Sequence, residues 1–225
     1  MRRLLPFLAA CGSTAPTPTA PTTAAPTPSH DHHDGMPHRF EHADEWAKQF
    51  DDPSRDAWQQ PDKVIAAMAL QPSMTVADVG AGTGYFSVRL ARAVPQGQVI
   101  ATDIEPDMVR YLGERAHREQ LSNIRTVLAT ADDPQLPPAS VDRILVVDVW
   151  HHLADRTRYA TGLARALRPG GKLFVVDFTQ EANHGPPKHM RLAPAAIVAD
   201  LQSAGLTAAV DPTQLPDQYI VSGSR

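Results

Sequence analysis

Three glycines and a carboxylate stand together in Asp78-Val79-Gly80-Ala81-Gly82-Thr83-Gly84, where an apolar run gives way to a helical one. Glycine lets a backbone turn tightly and approach a ligand closely. The dinucleotide fingerprint needs G-x-G-x-x-G, and the spacing here is G-x-G-x-G, one residue short. A second carboxylate, Asp103, ends the next apolar run. A carboxylate at that point can accept hydrogen bonds from both hydroxyls of a ribose. Asp148, Trp150, His151 and His152 follow the apolar residues 144–147. A histidine titrates near neutrality, so His151 or His152 can take a proton from a hydroxyl or an acidic carbon. The structural alternative has one histidine capping the next helix and the other packing against a bound ligand. In "NHGPPKHMR", residues 183–191, His184 and His189 either line a pocket or sit in a surface loop.

These residues need a scaffold that gathers strand ends, and the apolar pattern supplies one. "MTVADV", "QVIATD", "NIRTVLAT", "VDRILVVDVW" and "KLFVVDF" read as strands. Between them, "YFSVRLARAV", "PDMVRYLGERAHRE" and "TRYATGLARALRPGG" read as helices, the last ended by Pro169-Gly170-Gly171. A helix over residues 194–204 leads to two short strands, "LTAAV" and "QYIVSG". The run 144–147 is apolar without alternation, as a central parallel strand covered on both faces requires. Strands alternating with helices imply a doubly wound α/β fold: a seven-stranded, mostly parallel sheet, helices on both faces, and an antiparallel last strand. Ligands bind such sheets beyond the carboxyl ends of the strands, so Gly80 to Gly84, Asp103, the segment after Thr130 and Asp148 should converge on one crevice. Ahead of the sheet, Phe40, Ala43, Trp46, Ala47 and Phe50 make a helical stripe. "RDAWQQPDKVIAAMAL" reads as a second helix started by Pro61. Trp46, Phe50 and Trp58 either staple these helices to the core or cover a pocket.

"DVGAGTG", "ATDIEPDMV" and "VVDVWHHL…LRPGGKL" together resemble class I S-adenosylmethionine-dependent methyltransferases, and within them the small-molecule branch that includes the quinone-biosynthesis enzymes. The resemblance runs from about Met74 to Phe178. It implies S-adenosylmethionine as cofactor, whose amino-acid tail replaces the pyrophosphate at the glycine turn. Gly80, Gly82 and Gly84 would let that tail approach, their amides meeting its carboxylate, and Asp78 would face its ammonium group. Asp103 would hold the ribose, with Ile104 and Met108 flanking the adenine. Many relatives carry Asp where this chain has Thr130, which moves the adenine contact to Asp132. Asp148, His151 and His152 are the candidate catalytic residues. The Asn/Asp-Pro-Pro-aromatic motif of enzymes that methylate nucleic-acid amines is replaced by "DVWH". The expected activity is methyl transfer to oxygen or carbon of a small-molecule acceptor. A binding protein without turnover is the alternative, and a nicotinamide oxidoreductase a weaker one.

The first residues are a different object. "MRRLLPFLAACGS" has two arginines, a short apolar run and a lipobox-like Leu8-Ala9-Ala10-Cys11, the order of a bacterial lipoprotein signal lipidated at Cys11. Residues 14–28 contain only Thr, Ala and Pro and should stay extended. The expected organisation is residues 1–11 signal, 12–37 linker and 38–225 catalytic domain, at the cell envelope. A start at Met36 would instead leave a cytoplasmic enzyme. The histidine-rich "HDHHDGMPHRFEH" imposes no ligand geometry, and no metal is assigned. With a net charge of −4, no basic face calls for nucleic acid. The single cysteine excludes an intramolecular disulfide.

Overall fold

The computed structural model describes residues 40–225. Cys11, the Thr/Ala/Pro segment and the histidine-rich residues 30–38 lie outside the described residues. Seven strands, β1 (Thr75–Val79), β2 (Gln98–Asp103), β3 (Ile124–Leu128), β4 (Val141–Val147), β5 (Leu167–Phe178), β6 (Thr207–Val210) and β7 (Gln218–Ser224), form one sheet in the order β3-β2-β1-β4-β5-β7-β6. The pairs from β3 through β5 are parallel, and β7 runs antiparallel to both β5 and β6. This is the expected doubly wound sheet with an antiparallel last strand. Its order reverses between β1 and β4, so the carboxyl ends of those strands open one crevice.

The period-2 rule of strands divides the core between two faces. Ala77, Val79, Ile144, Val146, Leu173 and Val175 pack on one side with Tyr159 and Leu163 of α6 (Arg156–Ala166) and Ile197 and Leu201 of α7 (Pro194–Ser203). Val76, Leu145, Val147, Phe174 and Val176 face the other side. There they meet Val64 of α3 (Pro61–Ala67) and Leu90 of α4 (Ser87–Ala93). Neighbouring residues of β4 thus serve opposite cores, which explains an apolar run without alternation. Each such burial contributes ~1.5–3 kcal/mol. Helix α5 (Pro106–Arg118) packs on β2 and β3.

Two elements differ from expectation. The helix expected to start at Pro61 is present as α3, but a further short helix, α2 (Arg55–Gln59), precedes it, with Gln60 between them in a left-handed conformation (φ 45°). Pro61 disfavours the right-handed α region for the residue before it, so the chain must turn there. The helix expected to be ended by Pro169-Gly170-Gly171 already ends at Ala166. Leu167 already pairs with Val141, and residues 168–171 loop out before Lys172 meets Arg143. Pro169 and Gly170 (φ 77°) therefore shape a strand irregularity as well as ending a helix. Among the described residues, no helix is long and apolar enough to cross a membrane.

Candidate active site

Asp78 sits in β1 with its side chain buried, and its Oδ2 accepts the Ser87 hydroxyl of α4 at 2.6 Å. Burial pushes its carboxyl up to about 6, against the lowering effect of the Ser87 bond and with help from the Asp103 charge. The loop beyond it turns through three glycines in positive φ. A Cβ on Gly80 would meet Val149 Cγ2 at 2.3 Å, and one on Gly84 would meet Leu112 Cδ1 at 2.2 Å.

The loop amides correct one expectation. Gly80 and Ala81 both donate to the Thr102 carbonyl, Gly82 donates to Asp103 Oδ2 at 2.8 Å, and Gly84 donates to the Ala81 carbonyl. They are spent on building the loop, because it continues the β1–β2 ladder past the end of the strands, and so they do not wait for a ligand carboxylate. What the glycines supply is conformation and space.

Asp103 ends β2 partly exposed, its Oδ1 accepting the Glu105 amide at 2.9 Å and its Oδ2 the Gly82 amide. Burial holds its carboxyl above the usual range. Each oxygen retains a further lone pair for a hydroxyl donor. Ile104 next to it is 55% exposed, an apolar surface at the rim of the crevice, while Met108 is buried in α5. Asp132 is exposed and turned to Arg158 at 3.5 Å. Thr130 and Asp133 bridge each other across that turn.

Beyond β4, Asp148 adopts φ 59°, and both of its oxygens are engaged. Gln218 Nε2 donates to Oδ1, and Arg55 Nη2 reaches Oδ2 at 3.5 Å. Gln59 closes the circuit, accepting from Arg55 and donating to Gln218. Burial pushes the Asp148 carboxyl up to about 7, with Arg55 opposing and Asp177 adding to the rise. This geometry makes Asp148 the anchor that fastens α2 over the strand ends. Trp150 points into the core, fully buried, its indole N–H on Asp200 at 3.0 Å, so it is structural. His151 and His152 share the 3-10 turn after β4 with ring centroids 4.2 Å apart. His151 is the inner ring, its side chain 3% exposed and its Nδ1 2.9 Å from Asp177 Oδ1, whereas His152 is exposed and lies edge-on to Phe40.

The aromatic residues ahead of the sheet cover this crevice. On α1 (Ala43–Phe50), Trp46 stacks on Phe50, whose ring would touch a Cβ on Gly82 at 3.7 Å. Asp51 then accepts Thr83 Oγ1 and Arg115. Trp58 stacks on His184, centroids 4.9 Å apart, and leans on Phe178. His184 pairs through Nδ1 with Asp217, and its loop is gathered by Arg191, which donates to five backbone carbonyls. His189, in the same segment, is exposed. Of these three rings, Phe50 lies over the glycine loop with Trp46 stacked on it, and Trp58 lies over Phe178 and His184.

The glycine loop, Asp78, Asp103 and the β4 end thus converge where the strand order reverses. Over that stretch, residues 77–175 match a family described as a methyltransferase domain. Residues 77–175 thus carry a methyltransferase domain. A structure described as a SAM-dependent methyltransferase from Aquifex aeolicus superposes with a TM-score of 0.75 at 28% identity. The match covers 80% of this chain and 97% of that one. The ubiquinone/menaquinone biosynthesis C-methyltransferase UbiE of Bordetella parapertussis is 32% identical over 126 residues, 56% of this chain and 48% of its own. The demethylmenaquinone methyltransferase of Deinococcus radiodurans is 33% identical over 122 residues, 54% of this chain and 50% of its own. The chain thus spans about half the length of the curated relatives it matches.

The methyltransferase domain's own chemistry fits its cofactor. Asp78 and Asp103 bring a buried and a half-buried carboxylate to the strand ends, whereas Asp148 is already paired with Arg55. Such a field repels a pyrophosphate and attracts the ammonium and sulfonium groups of S-adenosylmethionine. Sequence reasoning missed Asp177, Arg55 and Gln218. A signal for the first existed: "VADV", "VVDV" and "VVDF" each end a strand on Val-x-Asp or Val-Asp, and those strands are neighbours in the sheet.

Proposed function

We propose that the methyltransferase domain transfers a methyl group to oxygen or carbon of a small, quinone-like acceptor. The buried Asp78 carboxyl beside a loop shaped by three positive-φ glycines carries this reading. It is a desolvated acid with one hydroxyl partner, placed to receive an ammonium group. Asp103 would hold the ribose hydroxyls, and the exposed Ile104 would lie against the adenine. Asp132, on its exposed turn, would reach the adenine edge only by leaving Arg158. Arg55 brings a guanidinium to the same strand ends. The bound cofactor supplies an electrophilic methyl group. The protein must align the acceptor, exclude water and remove a proton where the acceptor carries one. Phe50 and Trp58 would exclude water, and His151, whose ring lies 6.5 Å from that of Phe178, would take the proton.

The names of the curated relatives guide the choice of probe. Incubation with methyl-labelled S-adenosylmethionine and a short-chain 2-prenyl-1,4-naphthohydroquinone should yield a product heavier by one methylene and labelled on that probe. Binding of S-adenosylhomocysteine without transfer to this or other phenolic acceptors would favour the binding-protein reading. Binding of NADH with none of S-adenosylhomocysteine would overturn methyl transfer.

We also propose, from Leu8-Ala9-Ala10-Cys11 and the Thr/Ala/Pro segment after it, that the chain is tethered at the cell envelope through a lipidated Cys11. Mass spectrometry of the native N-terminus should find a diacylated Cys11. A chain starting near Met36 would remove the tether and place the enzyme beside the cytoplasmic cofactor pool.

A further inference from the structure

Asp177 lies near the end of β5, fully buried, directly under the turn that carries His151. Its Oδ1 accepts two N–H groups, the Phe178 amide at 2.8 Å and His151 Nδ1 at 2.9 Å. Its Oδ2 is buried with no hydrogen-bond partner among the described residues. The proton count follows from this asymmetry. An ionised Asp177 can only accept. Nδ1 of His151 therefore donates to the ionised carboxylate. A neutral imidazole has one N–H, so the lone pair is left on Nε2.

We propose that Asp177 is a positioning residue that fixes His151 in the Nδ1–H form, making His151, rather than its neighbour His152, the base that accepts the acceptor's proton on Nε2. This rests on the methyl-transfer reading above. In the balanced step, the acceptor's O–H bond breaks and an N–H bond forms at Nε2. The pair left on the acceptor bonds the methyl carbon, directly or through the conjugated ring carbon, and the methyl–sulfur pair leaves with the thioether. Proton uptake turns His151 into an imidazolium 2.9 Å from a carboxylate with one unsatisfied oxygen. A buried carboxylate short of partners is costly in the resting state. The imidazolium offsets that cost as it forms, so the interaction is stronger in the transition state than in the ground state. The other groups around the pair include His152 on the same turn, the Phe178 ring 6.5 Å from His151, Tyr219 opposite Asp177 on β7, and Asp148 with its Arg55 partner.

The test uses the full chain labelled with 15N-histidine, His151 being assigned by its loss in His151→Gln. Long-range proton–nitrogen spectra should show His151 protonated on Nδ1 and bare on Nε2 before any ligand is added. With the naphthohydroquinone probe, kcat should fall about 100-fold in His151→Gln and about tenfold or more in Asp177→Asn. KM for the probe and affinity for S-adenosylhomocysteine should stay within about threefold, a split that loss of packing alone does not produce. A His151 bearing its proton on Nε2 overturns the proposal even if Asp177→Asn does not fold or the probe is not turned over. So does a larger kcat loss in His152→Gln than in His151→Gln, or an Asp177→Asn enzyme with wild-type kcat. Failure of the wild-type chain to bind S-adenosylhomocysteine would instead sink the methyl-transfer reading beneath it.

Discussion

Asp78→Asn should weaken S-adenosylhomocysteine binding by about two to three orders of magnitude. The substitution keeps the volume and an oxygen for the Ser87 hydroxyl, so the loop should hold its shape. It removes the charge that would face the ligand's ammonium in a site already stripped of water. Truncating one member of such a buried pair costs ~2–5 kcal/mol. The wild type should show the same dependence through pH. Its Asp78 carboxyl is pushed up to about 6, so below that value the protonated, uncharged form prevails. Affinity should therefore rise as pH rises through about 6 and level off above it, losing ~tenfold per pH unit on the acid side. Calorimetric titration between about pH 5 and pH 7.5 checks both statements. Affinity in Asp78→Asn within about threefold of wild type, or a flat pH profile, would place the ammonium elsewhere.

Gly84→Ala should cost about 4 kcal/mol of folding stability, from two sources of ~1–3 kcal/mol each. At φ 93° an L-residue is strained, and its Cβ would stand 2.2 Å from Leu112 Cδ1 on the buried face of α5. Urea denaturation reads the loss. Leu112→Ala is destabilising by itself, because it opens a cavity. It also removes the atom that a methyl group at position 84 would strike. The double variant should therefore be more stable than the sum of the singles by about 1–3 kcal/mol. Strict additivity would show that the third glycine is required for φ alone and not for the approach of α5.

Much of this scaffold can be read from the chain. The strands at 75–79, 98–103 and 124–128 follow from apolar runs bounded by turn residues. The parallel sheet follows from their alternation with helices. The split of residues 144–147 between two cores is what a run without alternation means. The carboxylates Asp78, Asp103 and Asp148 are marked by their places at strand ends. Local patterning reaches this far because the period of the side chains is set by backbone geometry within each element.

Three features were decided only by the assembled structure. The glycine spacing leaves its amides open to a ligand, but Thr102, Asp103 and Ala81 claim them, and only the pairing of β1 with β2 brings Thr102 there. His151 and His152 are indistinguishable as adjacent letters. The turn after β4 sends one ring inward to Asp177 and leaves the other outside. Arg55, Gln59, Gln218 and Asp148 form one circuit although Gln59 and Gln218 are 159 residues apart. By itself, the sequence determined the strand-end loop and its glycine spacing, and carried the family resemblance that implies the cofactor, because those depend on neighbours in the chain. Which histidine meets a carboxylate, and what covers the crevice, depend on contacts between distant elements, and only their packing in three dimensions could decide them.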